Sequence, residues 1–258
     1  MKIHVVSTSY NSNKYAVNNI NSVYTQNFKP ASHVYLDDMS IDNSVEILKE
    51  IQDSNAFKTI NRVYNLTIIV NQKKKFKIKN LHELISDTSK YKDDDIICVL
   101  DGDDWLNNKN TLQEIYDLYK EKDLDYLYTN WVYSHNGQLG ISKQIPTIDW
   151  DPYKSSWITS ALSTFRVKRF REINFKNFLN DSGEYFVMGC DQAYVLPILE
   201  MSRRRNGNYD KVYFLNKPYY TYQFLENSSK PRSGNTGNKM AHDAHNAVTI
   251  IRKRGLIE

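Results

Sequence analysis

The 258 residues carry 34 Lys or Arg against 30 Asp or Glu, a formal charge of +4, which is too balanced to make nucleic acid an expected partner. The chain is long enough for a sizeable core without staples. Its two cysteines, Cys98 inside an apolar run and Cys190 before an aspartate, have no spacing that suggests a bridge, a zinc site or a redox pair. The first apolar run starts at Ile3, which leaves no room for a charged leader, and no stretch approaches the roughly 18 apolar residues of a membrane span; a soluble, cytoplasmic protein is expected.

Over the first hundred residues, strand-like and helix-like segments alternate. "IHVVST" reads as a strand, "AVNNINSVYTQNF" spaces Val17, Ile20 and Val23 with Tyr24 along one helical face, and "HVYLDD" reads as a second strand. "DNSVEILKEIQ" opens with Asn43 as the expected N-cap and Glu46 three residues on, the pattern of a capping box. "YNLTIIV", "IKNLHELISDTS" and "DIICVLD" follow as strand, helix and strand. Such alternation predicts an α/β fold with right-handed crossovers and a mainly parallel central sheet flanked by helices. After Trp105 the pattern changes: "TLQEIYDLYKEK" reads as a helix, "LDYLYTNWVYS" and "STFRV" as strands, "DQAYVLPILEMS" as a helix, and "KVYFLNKPYYTYQF" as an aromatic strand pair. "ENSSKPRSGNTGNK" is expected to be a mobile loop and "MAHDAHNAVTIIRKR" a closing helix. With no linker and no internal repeat, one continuous domain with an irregular second half is expected.

In a parallel sheet covered on both faces, ligands sit beyond the carboxyl ends of the strands. Three strand ends carry polar residues there: Thr8, Tyr10 and Asn11 after the first, Asp37 and Asp38 after the second, Asp101 and Asp103 after the fourth. Asp101 and Asp103 are two apart and can point the same way, while Gly102 lets another group approach the backbone. Two carboxylates side by side repel unless a cation neutralises them, and a hard ion such as Mg²⁺ or Mn²⁺ is the simplest candidate. The alternative is a solvated Asp-rich turn in which Asp104 caps the next helix. Asp37 and Asp38 suit a base N–H or a ribose hydroxyl, or else a turn. "KKKFKIK" reads as a solvated loop leading into a helix, with Lys79 available to a phosphate. His242 and His245, three apart on a helix, share a face; they are a surface pair, or one of them, with His242 the candidate, completes a metal shell. Asp191 is either an N-cap or a general base.

Together these residues resemble the inverting glycosyltransferases of family 2. "VVSTSYN" is similar to that family's opening strand and Thr-Tyr-Asn turn, "VYLDDMSIDNS" to its "VVDDGSTDNS", and "VLDGDDWL" to its DxD region; "STFRVKRF", "GEYFVMGCDQAYVLPILEM" and "KPYYTY" resemble a subgroup's second half in the same order. The resemblance implies a GT-A fold with a Rossmann-like sheet. It implies a donor half at 1–106, an acceptor and catalytic half at 107–225, and a loop and helix at 226–258 that form a lid. A UDP-sugar or related nucleoside diphosphate sugar is the implied donor, and a glycan or other hydroxyl compound the acceptor. By position, Thr8, Tyr10, Asn11, Asp37, Asp38, Lys79, Asp101 and Gly102 fall to the nucleotide, Asp101 and Asp103 to Mn²⁺ or Mg²⁺, and Asp191 to the catalytic base. Two positions depart from the family: Cys190 stands where a Glu often precedes the base, and Lys79-Asn80 stands for an Arg-Asn pair. Trp105, Trp131 and Trp157 are candidates to stack on sugar faces. A sugar nucleotidyltransferase is the competing enzyme reading, disfavoured because "STSYNSNKY" lacks the glycine-rich phosphate loop; a non-catalytic nucleotide- or carbohydrate-binding module is the third.

Overall fold

The computed structural model describes residues 1–55, 65–223 and 236–258. Strands β1 (Ile3–Ser9), β2 (Ser32–Asp37), β3 (Asn65–Val70) and β4 (Ile96–Asp101) are parallel neighbours in the spatial order β3-β2-β1-β4. Helices α1 (Ala16–Tyr24), α2 (Ser44–Asp53) and α3 (Phe76–Ser86) lie between them in the chain. Beyond β4 the same sheet continues through β7 (Ser163–Arg166), β6 (Tyr126–Tyr133), β8 (Val212–Tyr222) and the two-residue β5 (Trp105–Leu106). Here the direction changes: β7 runs antiparallel to both β4 and β6, whereas β8 is parallel to β6. The remaining helices are α4 (Thr111–Lys122), α5 (Val167–Arg171), α6 (Cys190–Asn206) and α7 (Thr236–Arg254).

The continuous apolar run of β4 is explained by its central place. Ile97 and Val99 join one core layer with Ile78, Leu81 and Ile85 of α3 and Ala193, Leu196 and Leu199 of α6. Ile96, Cys98 and Leu100 join the opposite layer, with Ala16 and Ile20 of α1 and Leu112 and Ile115 of α4. Successive residues of a strand point to opposite faces, so a strand buried on both faces shows no alternation.

Three local expectations change. Asn43 precedes α2 but its side chain makes no cap bond; at φ −80°, ψ 21° it is not extended, and Asp42 Oδ1 accepts the Ser44 N–H instead, at 2.9 Å. The aromatic "strand pair" is a single strand, β8, whose pairing with β6 shifts register around Pro218; a residue without an N–H is tolerated where the ladder is already interrupted. The loop expected at 226–239 falls outside the described residues up to 235, and from Thr236 the chain is helical. No helix among the described residues is long and apolar enough to cross a membrane.

Candidate active site

Parallel pairing brings the carboxyl ends of β2, β1 and β4 to one edge of the sheet, with Ser9 opposite Asp37 and Thr8 opposite Asp101. The turn after β4 is built by its neighbours. The Gly102 N–H donates to Thr8 O at 2.9 Å, and a Cβ at Gly102 would lie 2.4 Å from Ser9 Cβ and 2.9 Å from Ser9 Cα. The group that Gly102 admits is therefore the end of β1. Gly102→Ala is expected to cost about 1–3 kcal/mol through overpacking against backbone, read as a lowered midpoint of thermal unfolding. Buried Asn19 of α1 donates from Nδ2 to Asp101 O and Asp104 O, both at 2.8 Å, and its Oδ1 accepts from Ser7 Oγ at 2.9 Å. With the Ser7 proton so directed, Ser7 Oγ accepts from His33 Nε2 at 2.9 Å, and burial, which pushes the His33 imidazole down to about 3, keeps that ring neutral.

Asp104 caps no helix. It is buried, accepts from the Tyr220 hydroxyl and from Gln223 N, and so ties the turn to the end of β8. Burial, then the charges of Asp103 and Asp101, push its carboxyl well above the usual range. Asp103 faces a cavity beside Asp101, and burial followed by that neighbour's charge pushes it up to about 6.

At the end of β2 the two aspartates do different work. Buried Asp37 accepts from both Ser40 N and Ser40 Oγ, which closes the turn "DDMS". Asp38 lines the cavity but accepts four hydrogen bonds: Oδ1 from Asn71 Nδ2, Lys75 N and Asn80 Nδ2 at 2.9–3.0 Å, and Oδ2 from Phe76 N at 2.8 Å. Although burial works the other way, those donors hold its carboxyl below the ordinary range. Asp38 thereby fixes the start of α3, where Phe76 has a left-handed φ of 63°. Asp38→Ala removes the shared acceptor of two buried amide groups and two part-buried backbone N–H groups, and an expected loss of about 3 kcal/mol in urea unfolding checks this organising role. Asn11, also left-handed at φ 55°, joins the same loops: its Oδ1 accepts from Ile41 N and its N–H donates to Ser40 Oγ. Thr8 and Tyr10 line the cavity, with Lys74 over the Tyr10 ring.

The lysine of the site is Lys77 rather than Lys79. The Lys79 side chain is half-buried, 3.9 Å from Glu83 on its own helix, and lines neither of the two cavities of the site. Two residues earlier, Lys77 Nζ lies 2.6 Å from Asp101 Oδ1 and 2.7 Å from Asp191 Oδ1. Burial alone would lower its pKa, but the two carboxylates outweigh it and hold the ammonium well above its ordinary value. The reading of "KKKFKIK" as a solvated loop hid this: α3 begins inside that run, at Phe76, and Lys77 falls in its first turn. Asp191 is not the N-cap of α6; Gly189 is, at φ 68°, and Asp191 stands in the first turn with the Tyr194 hydroxyl 3.4 Å from Oδ1. Cys190 beside it is buried, its thiol pushed up to about 12 by burial, so it is no nucleophile. His242 has an exposed side chain in contact with Asn246 and Asp243 of its own helix, and not with the carboxylates.

Two cavities meet at the Asp101–Lys77 pair. One, of about 470 Å³, is lined by Thr8, Tyr10, Asp38, Lys74 and Asp103. The other, of about 280 Å³, is lined by Asp191, Trp131, Tyr133, Trp157, Thr159 and Tyr222. Trp131 Nε1 and Thr159 Oγ1 are buried without a protein partner among the described residues, which suits a polyhydroxyl ligand against the aromatic faces. Trp105 is not among the lining residues; it pairs with Thr221 of β8. No group of three or more His, Cys, Asp or Glu placed to hold a metal ion occurs among the described residues. Asp101 and the ill-compensated Asp103 nevertheless fit a hard divalent ion, which takes one or two carboxylates and completes its shell with water and phosphate oxygens.

Comparison with known proteins bears on the family and the fold. The sequence model of glycosyl transferase family 2 matches residues 4–187. Curated protein sequences give no match. Among solved structures, Staphylococcus aureus TarS 1–349 in complex with UDP-GlcNAc is similar over 100% of this chain and 68% of its own, with TM-score 0.62 and 17% identity. The mannosyltransferase PcManGT from Pyrobaculum calidifontis, in complex with GDP-Man and Mn²⁺, is similar over 98% of this chain and 73% of its own, with TM-score 0.55 and 11% identity. Glucosyl-3-phosphoglycerate synthase from Mycobacterium tuberculosis, in complex with Mn²⁺, UDP and phosphoglyceric acid, is similar over 96% of this chain and 79% of its own, with TM-score 0.56 and 11% identity. The sheet order, the carboxylate edge and the match over most of the sequence lead to one assignment: the chain belongs to glycosyl transferase family 2 and is a glycosyltransferase with the GT-A fold.

Proposed function

We propose that the protein transfers a hexose from a nucleoside diphosphate sugar, with a UDP-sugar as the favoured donor, to a hydroxyl of a glycan or similar acceptor, with inversion and with Asp191 as general base. The observation that carries this reading is the meeting of a carboxylate-lined cavity and an aromatic cavity at Asp101 and Lys77, with Asp191 in the lining of the second. The first suits a nucleoside diphosphate and the second an acceptor sugar. UDP is favoured because two of the similar structures, TarS and the phosphoglycerate synthase, hold a uridine nucleotide.

In the transfer, an acceptor hydroxyl oxygen attacks the anomeric carbon from the face opposite the diphosphate. The carbon–oxygen bond to the diphosphate breaks, and its electron pair leaves with the nucleotide. Asp191 takes the proton of the attacking hydroxyl. Asp101 and Asp103 would hold Mn²⁺ or Mg²⁺, which when bound supplies charge stabilisation for the leaving diphosphate. Thr8 and Tyr10 line the nucleotide pocket, Asp38 holds the start of α3 against it, and Trp131, Tyr133 and Trp157 shape the acceptor pocket. The direct test is calorimetric titration of UDP, GDP, CMP and TDP in the presence of Mn²⁺ and then of EDTA. Selective binding of UDP that EDTA abolishes is the expected result; binding of none of the four would remove the donor-site reading.

A further inference from the structure

The carboxylate assigned as base has a cation on it. Lys77 Nζ is 2.7 Å from Asp191 Oδ1, with the Tyr194 hydroxyl 3.4 Å from the same oxygen, so the ammonium occupies the place beside Oδ1 that an acceptor hydroxyl would take. Transfer therefore needs Lys77 to leave Asp191. The two arms of its bridge are unequal: the Asp191 side chain is 52% exposed and that of Asp101 33%, so the Asp191 arm is the more screened by water and the easier to exchange. Lys77 also borders both cavities, and among the described residues it and Lys74 are the cationic side chains lining the larger one. Its four-carbon stem lets the ammonium swing while α3 stays anchored by Asp38. A divalent ion on Asp101 and Asp103 offsets those two carboxylates only, so the charge of a diphosphate entering the larger cavity is left for Lys74 and Lys77 to meet.

We propose that Lys77, which Asp101 and Asp191 share in this structure, is a contact for the donor diphosphate and leaves Asp191 for the phosphates when the donor binds. Asp191 is thereby freed to accept the acceptor's proton only once the donor is in place. This rests on the donor-site reading above, and it makes Lys77 an ordering device for that reaction: without donor, the base stays paired and cannot activate water or an acceptor.

The test is a double-mutant cycle read by calorimetry of UDP and of uridine, with Mn²⁺ present, on the unmodified protein, Lys77→Met, Asp191→Asn and the double variant. Lys77→Met is expected to weaken UDP about tenfold or more and to leave uridine unchanged, because only the diphosphate meets the ammonium. Asp191→Asn is expected to tighten UDP about threefold to fivefold, the worth of a half-exposed ion pair that no longer has to break. In the double variant that gain should vanish. An equal gain with and without Lys77 would mean that Asp191 acts on the diphosphate only through space, and the proposal would be overturned; the absence of any gain while Lys77 is present would overturn it as well. Should Lys77→Met fail to fold by circular dichroism, Lys77→Gln takes its place in the cycle. UDP binding to the unmodified protein separates the two levels. If UDP binds and the cycle shows no coupling, the Lys77 proposal falls alone; if UDP does not bind, the donor-site reading falls and takes it along.

Discussion

Asp191→Asn is expected to lower turnover by roughly 10²- to 10⁴-fold, the range for loss of a positioned general base, while UDP binding is retained. The amide has nearly the shape of the carboxylate but cannot take the acceptor's proton. The fold should tolerate the change: Asp191 is half-exposed in the first turn of α6, and Lys77 keeps its 2.6 Å contact with Asp101. Initial rates of UDP release from the selected donor, at saturating donor and acceptor, measure the effect. Calorimetric UDP affinity, measured alongside, separates lost chemistry from lost binding. Transfer at an undiminished rate would remove Asp191 from the base role.

Asp103→Ala is expected to abolish the metal-dependent part of UDP binding, a loss of about 100-fold, or about 2.7 kcal/mol. Asp103 is the carboxylate of the turn without a lysine on it: Asp101 has Lys77, and Asp104 is buried between Tyr220 and Gln223. A divalent ion relieves the repulsion that raises Asp103, and removing the side chain removes that gain. The same shift sets a pH dependence. The carboxyl is pushed up to about 6, and its metal-binding form is the ionised one, so Mn²⁺ affinity should hold above pH 6 and fall as the pH drops through that value while protons compete. Titration of Mn²⁺ at pH 7.5 and at pH 5 checks the direction; an affinity unchanged between them would exclude Asp103 as a ligand. In Asp103→Ala, UDP should bind equally with Mn²⁺ and with EDTA.

Local rules carried much of the fold. The alternation of apolar runs with 3.6-residue periodicity located β1, β2, β3 and β4 and the helices between them, because each is written in a few consecutive residues. The place of the carboxylates after β4 was legible too, since three aspartates around a glycine follow a buried apolar run and so fall at the carboxyl end of a strand. Residues whose role depends on a distant partner were not legible. Asn43 and Glu46 have the spacing of a capping box, yet Asp42 takes the bond, because the loop conformation decides which oxygen reaches the Ser44 N–H. Asn19 reads as one more polar residue on an amphipathic helix; only the packing of α1 beside β4 makes it the clamp on two carbonyls of the aspartate turn.

The sequence by itself determined the class of fold, the parallel half of the sheet and the edge where charge collects, since strands alternating with helices imply parallel neighbours joined by right-handed crossovers. Tertiary structure alone decided the division of labour within that edge. Asp37 closes a turn, Asp38 anchors a helix, Asp104 holds β8, and Asp101 shares Lys77 with Asp191, ninety residues farther along the chain. Four carboxylates of one chemical type differ because burial, donor count and the nearest cation differ around each, and those quantities exist only once segments far apart in sequence are packed together.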